Sequence, residues 1–217
     1  MRKTNNKTPY IIGITGSLGT GKSLVGEILS KCTVLVIDTD FIVRDILRAK
    51  NPISKSIVSE FGQNILSSNS NEYVDRKILG SIVFKDESKR KTLESIIHPE
   101  VIKILKKKIT QNSEKAIIAV LVPLLFESNL EKMFDEIWCV ICDETIQMKR
   151  LQDKGFLLED AKRRIKAQLS PNEKAKLSDY VINNSGTILE TKEQVIKRLK
   201  QLAQLNHNFH LSFGKQC

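Results

Sequence analysis

The sequence contains little cysteine, proline or aromatic residue, and its apolar runs are short. Four cysteines in 217 residues are too few for a disulfide scaffold. With 41% hydrophobic and 28% charged residues and modest proline and glycine, the composition excludes a disordered or fibrous protein. No apolar run approaches the length that crosses a bilayer, and the first residues lack a secretory signal pattern. We therefore expect one globular, cytoplasmic domain with small insertions.

Cys139 and Cys142 form a Cys-x-x-Cys pair within EIWCVIC, a pattern typical of a buried strand. Residues three positions apart in a strand point to opposite faces of the sheet. Because the chain has no second such pair, we predict that both thiols are core side chains rather than a metal or redox site.

The charge is strongly positive, with 35 Lys and Arg residues against 25 Asp and Glu residues, a net +10. This charge favours polyanionic partners, either nucleic acid or a nucleotide substrate. The densest basic run, from Lys103 to Lys115, carries apolar residues at helical intervals, which is typical of a solvated helix face. The chain lacks an obvious aromatic stacking set or reading-helix motif, so we expect no nucleic acid partner.

Five apolar segments rich in β-branched residues are predicted to be strands. They are Tyr10–Thr15, Thr33–Asp38, Ala116–Val122, Glu136–Cys142 and Asp179–Asn183. Helical patterns separate these segments, which favours a parallel sheet with helices on both faces. The predicted fold class is therefore α/β, with a five-stranded parallel sheet.

Two helical insertions interrupt the alternation of strands and helices. Residues 41–115 separate the second and third strands and predict a helical subdomain. Residues 143–176 separate the fourth and fifth strands and are polar and rich in Lys and Arg. The predicted core is then 1–40, 116–142 and 177–206, ending in a helix opened by the capping-box spacing of Thr187 to Glu190. The aperiodic residues 207–217 predict a disordered tail.

The junction between the first strand and the next helix carries a phosphate-binding pattern. The residues Gly16, Ser17, Leu18, Gly19, Thr20, Gly21, Lys22 and Ser23 fit G-x-x-x-x-G-K-[ST], and Leu24 follows. Glycines allow the backbone N–H groups to converge on phosphate oxygens where the helix begins. We predict that Lys22 reaches the β- and γ-phosphates of ATP and that the Ser23 hydroxyl binds Mg²⁺.

Carboxylates follow the second predicted strand. The stretch VLVIDTDFIVRDIL places Asp38 and Asp40 at the end of the strand, with Arg44 one helical turn beyond Asp40. The carboxyl ends of parallel strands face the ligand crevice, where a carboxylate can meet an acceptor hydroxyl. The structural alternative is an aspartate that caps the next helix. We predict that Asp40 and Asp38 both bind the substrate, with capping of the next helix as the open alternative for Asp38.

These motifs resemble, in order, those of the dephospho-coenzyme A kinases, P-loop kinases related to the nucleoside monophosphate kinases. The matching stretches are GITGSLGTGKS, VIDTDFIVR, LESIIHPEV, VPLLFE, QMKRL, RIKAQ and SDYVINNSG, from about Ile11 to Gly186. The resemblance implies ATP-dependent phosphorylation of the ribose 3′-hydroxyl of dephospho-coenzyme A, the last step of coenzyme A synthesis. It also implies that 41–115 is the substrate subdomain and that 143–176 is a lid.

The resemblance implies roles for catalytic residues. Asp40 matches the family's catalytic base, Lys22 the P-loop lysine and Arg150, in QMKRL, a lid arginine over the ATP phosphates. Without the resemblance, the sequence around Arg150 would be read as a solvated helix face. Arg44 matches a residue near the substrate and could hold its phosphate.

Three further residues match stretches in which the family binds its substrate, and each also has a structural explanation. Leu125 and Phe126, in VPLLFE, match the lining of the substrate pocket, although core packing explains apolar residues there nearly as well. His98, before Pro99, fits either a substrate site or a junction between helices, because proline disfavours helix in the residue before it.

The chain departs from the family pattern in the P-loop and in the lid. The P-loop departures are Ser17, Leu18, Thr20 and Leu24, while the obligatory glycines remain. Lys154 replaces a second lid arginine and precedes Gly155, where an aspartate is common. Lysine keeps the charge but loses bidentate geometry, so we expect altered lid contacts or turnover. The alternative function is another small-molecule P-loop kinase, acting on a nucleoside or its monophosphate, and a nucleic-acid-binding P-loop ATPase is a weaker rival.

Overall fold

The computed structural model describes residues 8–67 and 73–205 and is built on a five-stranded sheet. The strands are β1 (Tyr10–Thr15), β2 (Leu35–Asp38), β3 (Ile117–Leu121), β4 (Glu136–Ile141) and β5 (Tyr180–Asn183). Their order is β2-β3-β1-β4-β5, with β1 parallel to both β3 and β4, and β5 parallel to β4. The five predicted strands and the parallel α/β fold are confirmed.

Helices form most of the connections between the strands. They are α1 (Lys22–Lys31), α2 (Thr39–Arg48), α3 (Pro52–Phe61), α4 (Arg76–Val83), α5 (Glu87–Gln111), α6 (Glu144–Asp153), α7 (Leu158–Lys166), α8 (Pro171–Lys176) and α9 (Ile188–Leu205). The predicted capping box is present at α9, where the Glu190 carboxylate accepts the Thr187 N–H at 2.6 Å and Thr187 Oγ1 accepts the Glu190 N–H at 3.2 Å. Within 8–67 and 73–205, no helix combines the length and apolarity needed to span a bilayer. The predicted tail, 207–217, lies outside the described residues.

One face of the sheet is packed against α1 and α9. Alternate residues of β1 and β3 point to this side, because side chains in a strand alternate between faces. Ile12, Ile14 and Ala119 are fully buried there, and so are Val25 of α1 and Val195 of α9. This apolar layer supports the central strand β1 as far as the start of the glycine-rich loop.

The chain divides into two compact units. One contains the described residues up to Ile37 and from Ile109 onward, and it holds most of the sheet. The other, Asp38–Lys108, is helical. Inside the helical unit a half-open cavity of about 520 Å³ is lined mainly by α2, the start of α3 and α5. The lysines of the basic run in α5 are exposed, as expected for a solvated helix face.

Helix α5 continues through His98 and Pro99, so the alternative of a helix junction at His98 is wrong. Proline removes one N–H from a helix and crowds the carbonyl of the preceding turn. Ile97, Val101 and Leu105 are all buried and recur every four residues along one face of α5. Packing of this apolar face on both sides of Pro99 outweighs the local preference for a break.

The carboxylate of Glu136 is buried at the amino end of β4 and accepts three hydrogen bonds. The donors are the Tyr10 hydroxyl at 3.1 Å, Trp138 Nε1 at 2.7 Å and Arg198 Nε at 2.7 Å. Burial, and secondly the charge of Glu136, raises the pKa of Tyr10 to about 12. This network joins β1, β4 and α9 where the strands begin.

Cys139 is fully buried in β4, as predicted, whereas Cys142 follows the end of the strand and is only partly buried. Both are free thiols. Burial raises the pKa of Cys139 to about 11 and is also the main cause of the raised pKa of Cys142. A raised pKa keeps a thiol protonated and therefore unreactive at neutral pH.

Candidate active site

The glycine-rich loop turns from β1 into α1 on three glycines with positive φ. Their φ angles are 145° at Gly16, 84° at Gly19 and 101° at Gly21, a region that other residues rarely adopt. Gly21 is the N-cap of α1, and no side chain caps the helix. The first N–H groups of a helix have no partner within it and carry partial positive charge. The start of α1 is therefore suited to bind an anion, as the motif of the loop predicts.

Lys22 lies against the backbone of this loop. Its ammonium donates to the carbonyl of Gly16 at 2.7 Å and to that of Ser17 at 3.0 Å. Ser23 follows in the first turn of α1 with an exposed side chain. The structure thus places a cation and a hydroxyl beside the same helix terminus, which is the arrangement that phosphate and its metal ion require.

Helix α6 packs directly on the loop. Gln147 is buried and its Nε2 donates to the carbonyl of Leu18 at 2.5 Å. A β-carbon added to Gly19 would lie 2.9 Å from the side chain of Leu151, which is also buried. Gly19 therefore permits both the turn and the close approach of α6. No separate feature of the sequence selects Gln147, although it lies in the stretch that contains Arg150.

Arg150 reaches the loop from α6 and has an unused donor there. Its Nη2 donates to the Asn184 carbonyl at 3.0 Å, while its buried Nη1 has no hydrogen-bond partner among the described residues. Nη1 lies 3.7 Å from the position that a β-carbon on Gly21 would occupy. A buried guanidinium nitrogen without a partner is costly, and a phosphate oxygen would satisfy it.

Asn184 supports the loop from the end of β5, a role that the sequence did not single out. Its Nδ2 donates to the Thr20 carbonyl at 2.7 Å, and its Oδ1 accepts the Thr191 hydroxyl at 2.9 Å. A β-carbon on Gly21 would collide with the same Nδ2. The signals in the sequence are its place in the family-matching stretch SDYVINNSG and its position just beyond the carboxyl end of a strand, where ligand crevices form.

Asp38 and Asp40 lie at the start of α2 in the helical unit. Asp38 is the N-cap of α2 and accepts the Asp40 N–H at 2.8 Å, so Asp38 caps the helix, and its role in substrate binding stays a prediction. Asp40 is exposed in the first turn, and Arg44 follows at the i+4 position on the same face. The Arg44 guanidinium lies 4.1 Å from the ring centroid of Phe41, a favourable cation–π distance.

The cavity of the helical unit lies on a different face of α2 from Asp40. Ile42 and Ile46 line this cavity, and residues at these positions point away from Asp40 and Arg44 on a helix. A substrate bound in the cavity would therefore contact a face of α2 that does not carry the Asp40 carboxylate. Asp40 and Phe41 are exposed and Arg44 is half-buried, and for Asp40 and Arg44 a role at the acceptor stays a prediction.

Leu125 and Phe126 are both buried in the turn that follows β3. A Leu125 side-chain carbon lies 2.8 Å from the position that a β-carbon on Gly13 would occupy, so Leu125 packs directly on β1. Core packing therefore accounts for Leu125, and pocket lining stays a prediction for both residues. His98 is partly buried in α5, and a role in substrate binding stays a prediction.

Comparison with known proteins gives one consistent family. The model of the dephospho-CoA kinase family matches residues 10–190. A dephospho-CoA kinase of Carboxydothermus hydrogenoformans is 43% identical over 194 residues, which cover 88% of this chain and 93% of that protein.

Two solved structures extend the similarity to the fold. TT1252 from Thermus thermophilus aligns with a TM-score of 0.78 and 30% identity, covering 92% of this chain and all of that one. A dephospho-CoA kinase from Campylobacter jejuni aligns with a TM-score of 0.64 and 30% identity, covering 90% and 98% of the two chains. The residues that the family model matches, 10–190, include the P-loop, α6 and β5.

Proposed function

The chain belongs to the dephospho-CoA kinase family, and from this we infer that it transfers the γ-phosphoryl group of ATP to the ribose 3′-hydroxyl of dephospho-coenzyme A. The products are coenzyme A and ADP, so the reaction is the final step of coenzyme A synthesis. One structural observation carries the proposal: the buried Arg150 Nη1, without a partner in the described part of the chain, beside the uncapped start of α1. We expect the enzyme to act in the cytoplasm on these two small molecules.

The P-loop binds the phosphates of ATP through its backbone and through Lys22. The N–H groups at the start of α1 donate to phosphate oxygens, and Lys22 exchanges loop carbonyls for the β- and γ-phosphates. Arg150 Nη1 donates to the transferred group, where negative charge is spread in the transition state. Because Gln147 and Asn184 already hold α6 and the loop together, this arrangement needs little reorganisation.

The residues at the start of α1 also fit a magnesium ion. Mg²⁺ takes oxygen ligands and is usually held by one or two protein groups together with substrate phosphates. The exposed Ser23 hydroxyl is such a ligand, and no cluster of three or more His, Cys, Asp or Glu side chains forms another metal site in the described residues. When bound, the ion would be held by the Ser23 hydroxyl and would neutralise negative charge on the phosphates.

Asp40 is the proposed general base. Its carboxylate is exposed in the first turn of α2, where it can accept the proton of the 3′-hydroxyl as the new O–P bond forms. Arg44, one turn further along the same face, would bind a phosphate of the acceptor. Phosphoryl transfer requires little covalent assistance, so positioning the hydroxyl is the main contribution of this helix.

The test is a coupled assay of ADP release with Mg-ATP that compares dephospho-coenzyme A, AMP, adenosine and no acceptor. We expect release to depend on dephospho-coenzyme A, and phosphorus NMR of the product to show a new 3′-phosphomonoester. Release with AMP or adenosine instead would keep the kinase chemistry and remove the proposed acceptor. Release independent of any acceptor would contradict a kinase function.

A further inference from the structure

Carbonyl groups of the glycine-rich loop accept hydrogen bonds from side chains of two kinds. Lys22 belongs to the loop itself and is charged, and its ammonium is the group expected to move to the phosphates. The other donors are neutral amides that come from remote segments. Gln147 Nε2 of α6 donates to the Leu18 carbonyl at 2.5 Å, and Asn184 Nδ2, just after β5, donates to the Thr20 carbonyl at 2.7 Å.

Each of these two carbonyls shares a peptide unit with the N–H of a glycine. The Leu18 carbonyl is joined to the Gly19 nitrogen, and the Thr20 carbonyl to the Gly21 nitrogen. A trans peptide unit is planar, and its C=O and N–H bonds point in opposite directions. The described residues contain no cis peptide bond. A side-chain amide that binds one of these carbonyls therefore also fixes the direction of the glycine N–H, which points away from that amide.

Neither the Gly19 N–H nor the Gly21 N–H has a hydrogen-bond acceptor within residues 8–67 and 73–205. Positive φ at both glycines permits these orientations of the peptide units. Backbone N–H groups are seldom left without a partner, and neighbouring N–H groups that are free in a turn form a concave site for an anion. The two N–H groups are thus oriented and available for a ligand.

Stability alone does not explain why Gln147 and Asn184 are amides. Both side chains are buried, at 3% and 1% exposure, and a buried amide gains little net stability from its hydrogen bonds, because it first loses its bonds to water. An apolar side chain could fill either position. Both amides instead bind the backbone of a loop whose other side must bind phosphate.

We propose that Gln147 and Asn184 are positioning residues for the nucleotide, which hold the peptide units of the loop so that the Gly19 and Gly21 N–H groups point into the phosphate site. This inference rests on the proposed function, which supplies the nucleotide. Each amide lies on the carbonyl side of its peptide unit, so neither contacts the phosphates itself. Their loss therefore weakens ATP binding through the backbone and not through a change of charge.

The first experiment removes each donor separately. Gln147→Met keeps the length of the side chain without its N–H groups. Asn184→Ala keeps the backbone carbonyl that accepts the Arg150 hydrogen bond. Gln152→Met is the matched control, because Gln152 is an exposed glutamine of the same helix as Gln147. Isothermal titration with Mg-ATP, without acceptor and well below each Tm, gives the Kd, and steady-state kinetics give kcat.

We expect the Kd for ATP to rise about tenfold in Gln147→Met and in Asn184→Ala, the size of one weakened hydrogen bond to a charged group. The change in kcat should be less than about threefold, since the contact of Arg150 remains, and Gln152→Met should resemble wild type. Folded variants with the wild-type Kd for ATP, or with a loss of kcat alone, would overturn the proposal.

Amide NMR of the wild-type protein tests the orientation of the N–H groups without any variant. Saturation with Mg-ATP should move the amide protons of Gly19 and Gly21 downfield, because both gain a charged acceptor. Gly155 is the reference, because its N–H already donates to the Gln152 carbonyl at 2.8 Å. Shifts at Gly19 and Gly21 no larger than the shift at Gly155 would contradict the proposal.

The same spectra of the two variants assign each amide to its own glycine. Gln147→Met should reduce the shift of Gly19 more than that of Gly21, and Asn184→Ala should have the opposite effect. An equal reduction at both glycines in both variants would show general loosening of the loop and no specific positioning. A wild-type protein that gives the expected shifts but does not phosphorylate dephospho-coenzyme A would overturn the proposed function alone.

Discussion

Arg150 and Asn184 are joined by a hydrogen bond of 3.0 Å from the guanidinium Nη2 to the backbone carbonyl. The side chain of Asn184 at the same time donates to the Thr20 carbonyl in the P-loop. Arg150 is therefore positioned by the same residue that supports the loop. This leaves Nη1, which has no partner in the described chain, in a fixed orientation beside the start of α1.

Substitution of Arg150 by Met should lower kcat by about 10² or more, because a preorganised donor to the transferred phosphoryl group is lost. Arg150→Lys should recover only part of this loss, since lysine cannot bind Asn184 and a phosphate with a planar fork. Steady-state kinetics with both substrates measure the effect. Lys149→Met is the control, because Lys149 is the exposed neighbour in α6, and an equal loss in that variant would argue against a specific role of Arg150.

Gly21→Ala should be far more damaging than Gly155→Ala, although both glycines have positive φ. An alanine at either position carries backbone strain of about 1–2 kcal/mol. At Gly21 the added β-carbon also collides with Asn184, whereas at Gly155 nothing lies within 4 Å. We expect Gly155→Ala to lower only the free energy of unfolding and Gly21→Ala to raise the KM for ATP about tenfold as well. Urea unfolding measures the stability of both variants, and steady-state kinetics give the KM of each for ATP. An equal KM for ATP in Gly21→Ala and Gly155→Ala would contradict the steric argument.

Asp40→Asn should leave ATP affinity nearly unchanged and lower turnover by about 10² or more, the size of general-base assistance. Asp45→Asn is the matched control in the same helix, because Asp45 lines the cavity on a different face of α2. Isothermal titration with ATP and the coupled assay separate binding from turnover. Equal turnover in Asp40→Asn and wild type would remove Asp40 from the mechanism.

Stability should fall with rising pH above about 10, partly because of Tyr10. The folded protein raises the pKa of Tyr10 from 10.0 to about 12, mainly by burial. Between these values the unfolded chain loses the tyrosine proton first, so ionisation favours unfolding. In Tyr10→Phe, the loss of unfolding free energy from pH 9 to pH 11 should be smaller than in wild type.

Urea unfolding at several pH values measures this difference. Tyr10→Phe should be less stable than wild type at pH 8, since the hydrogen bond to Glu136 is lost. Tyr73→Phe, at an exposed tyrosine of the helical unit, is the control for removal of a hydroxyl. An identical slope in Tyr10→Phe and wild type would show that Tyr10 does not contribute to the alkaline loss.

The strands were predictable because each is a short apolar run, and β1 agrees with its prediction at both ends. Burial on both faces of a parallel sheet requires such runs, so the pattern is local and strong. Helix α5 was less predictable, since the helical preference of 25 residues competes with one proline. Local preference favours a break at Pro99, and only the packing of distant residues decides against it.

The P-loop was predictable for the same reason, because eight consecutive residues contain its chemistry. The role of Asn184 was not predictable, since its partner Thr20 is 164 positions away in the sequence. Gln147 and Lys174 likewise donate to backbone carbonyls of remote segments. Because every residue has a backbone carbonyl, the sequence does not indicate which one accepts such a bond. The sequence therefore shows what binds phosphate but not what holds the binding groups in place.

The order of the strands has a consequence for how the chain folds as it is synthesised. β1 lies between β3 and β4, so Tyr10 pairs with Ile117 and Ile12 with Glu136. In the sequence, both partners come after the whole helical unit. β1, which leads into the P-loop, therefore cannot pair with its neighbouring strands until more than half of the chain has emerged from the ribosome. The helical unit is continuous in sequence and can form its internal contacts earlier. The nucleotide site is therefore among the last parts of the enzyme to form.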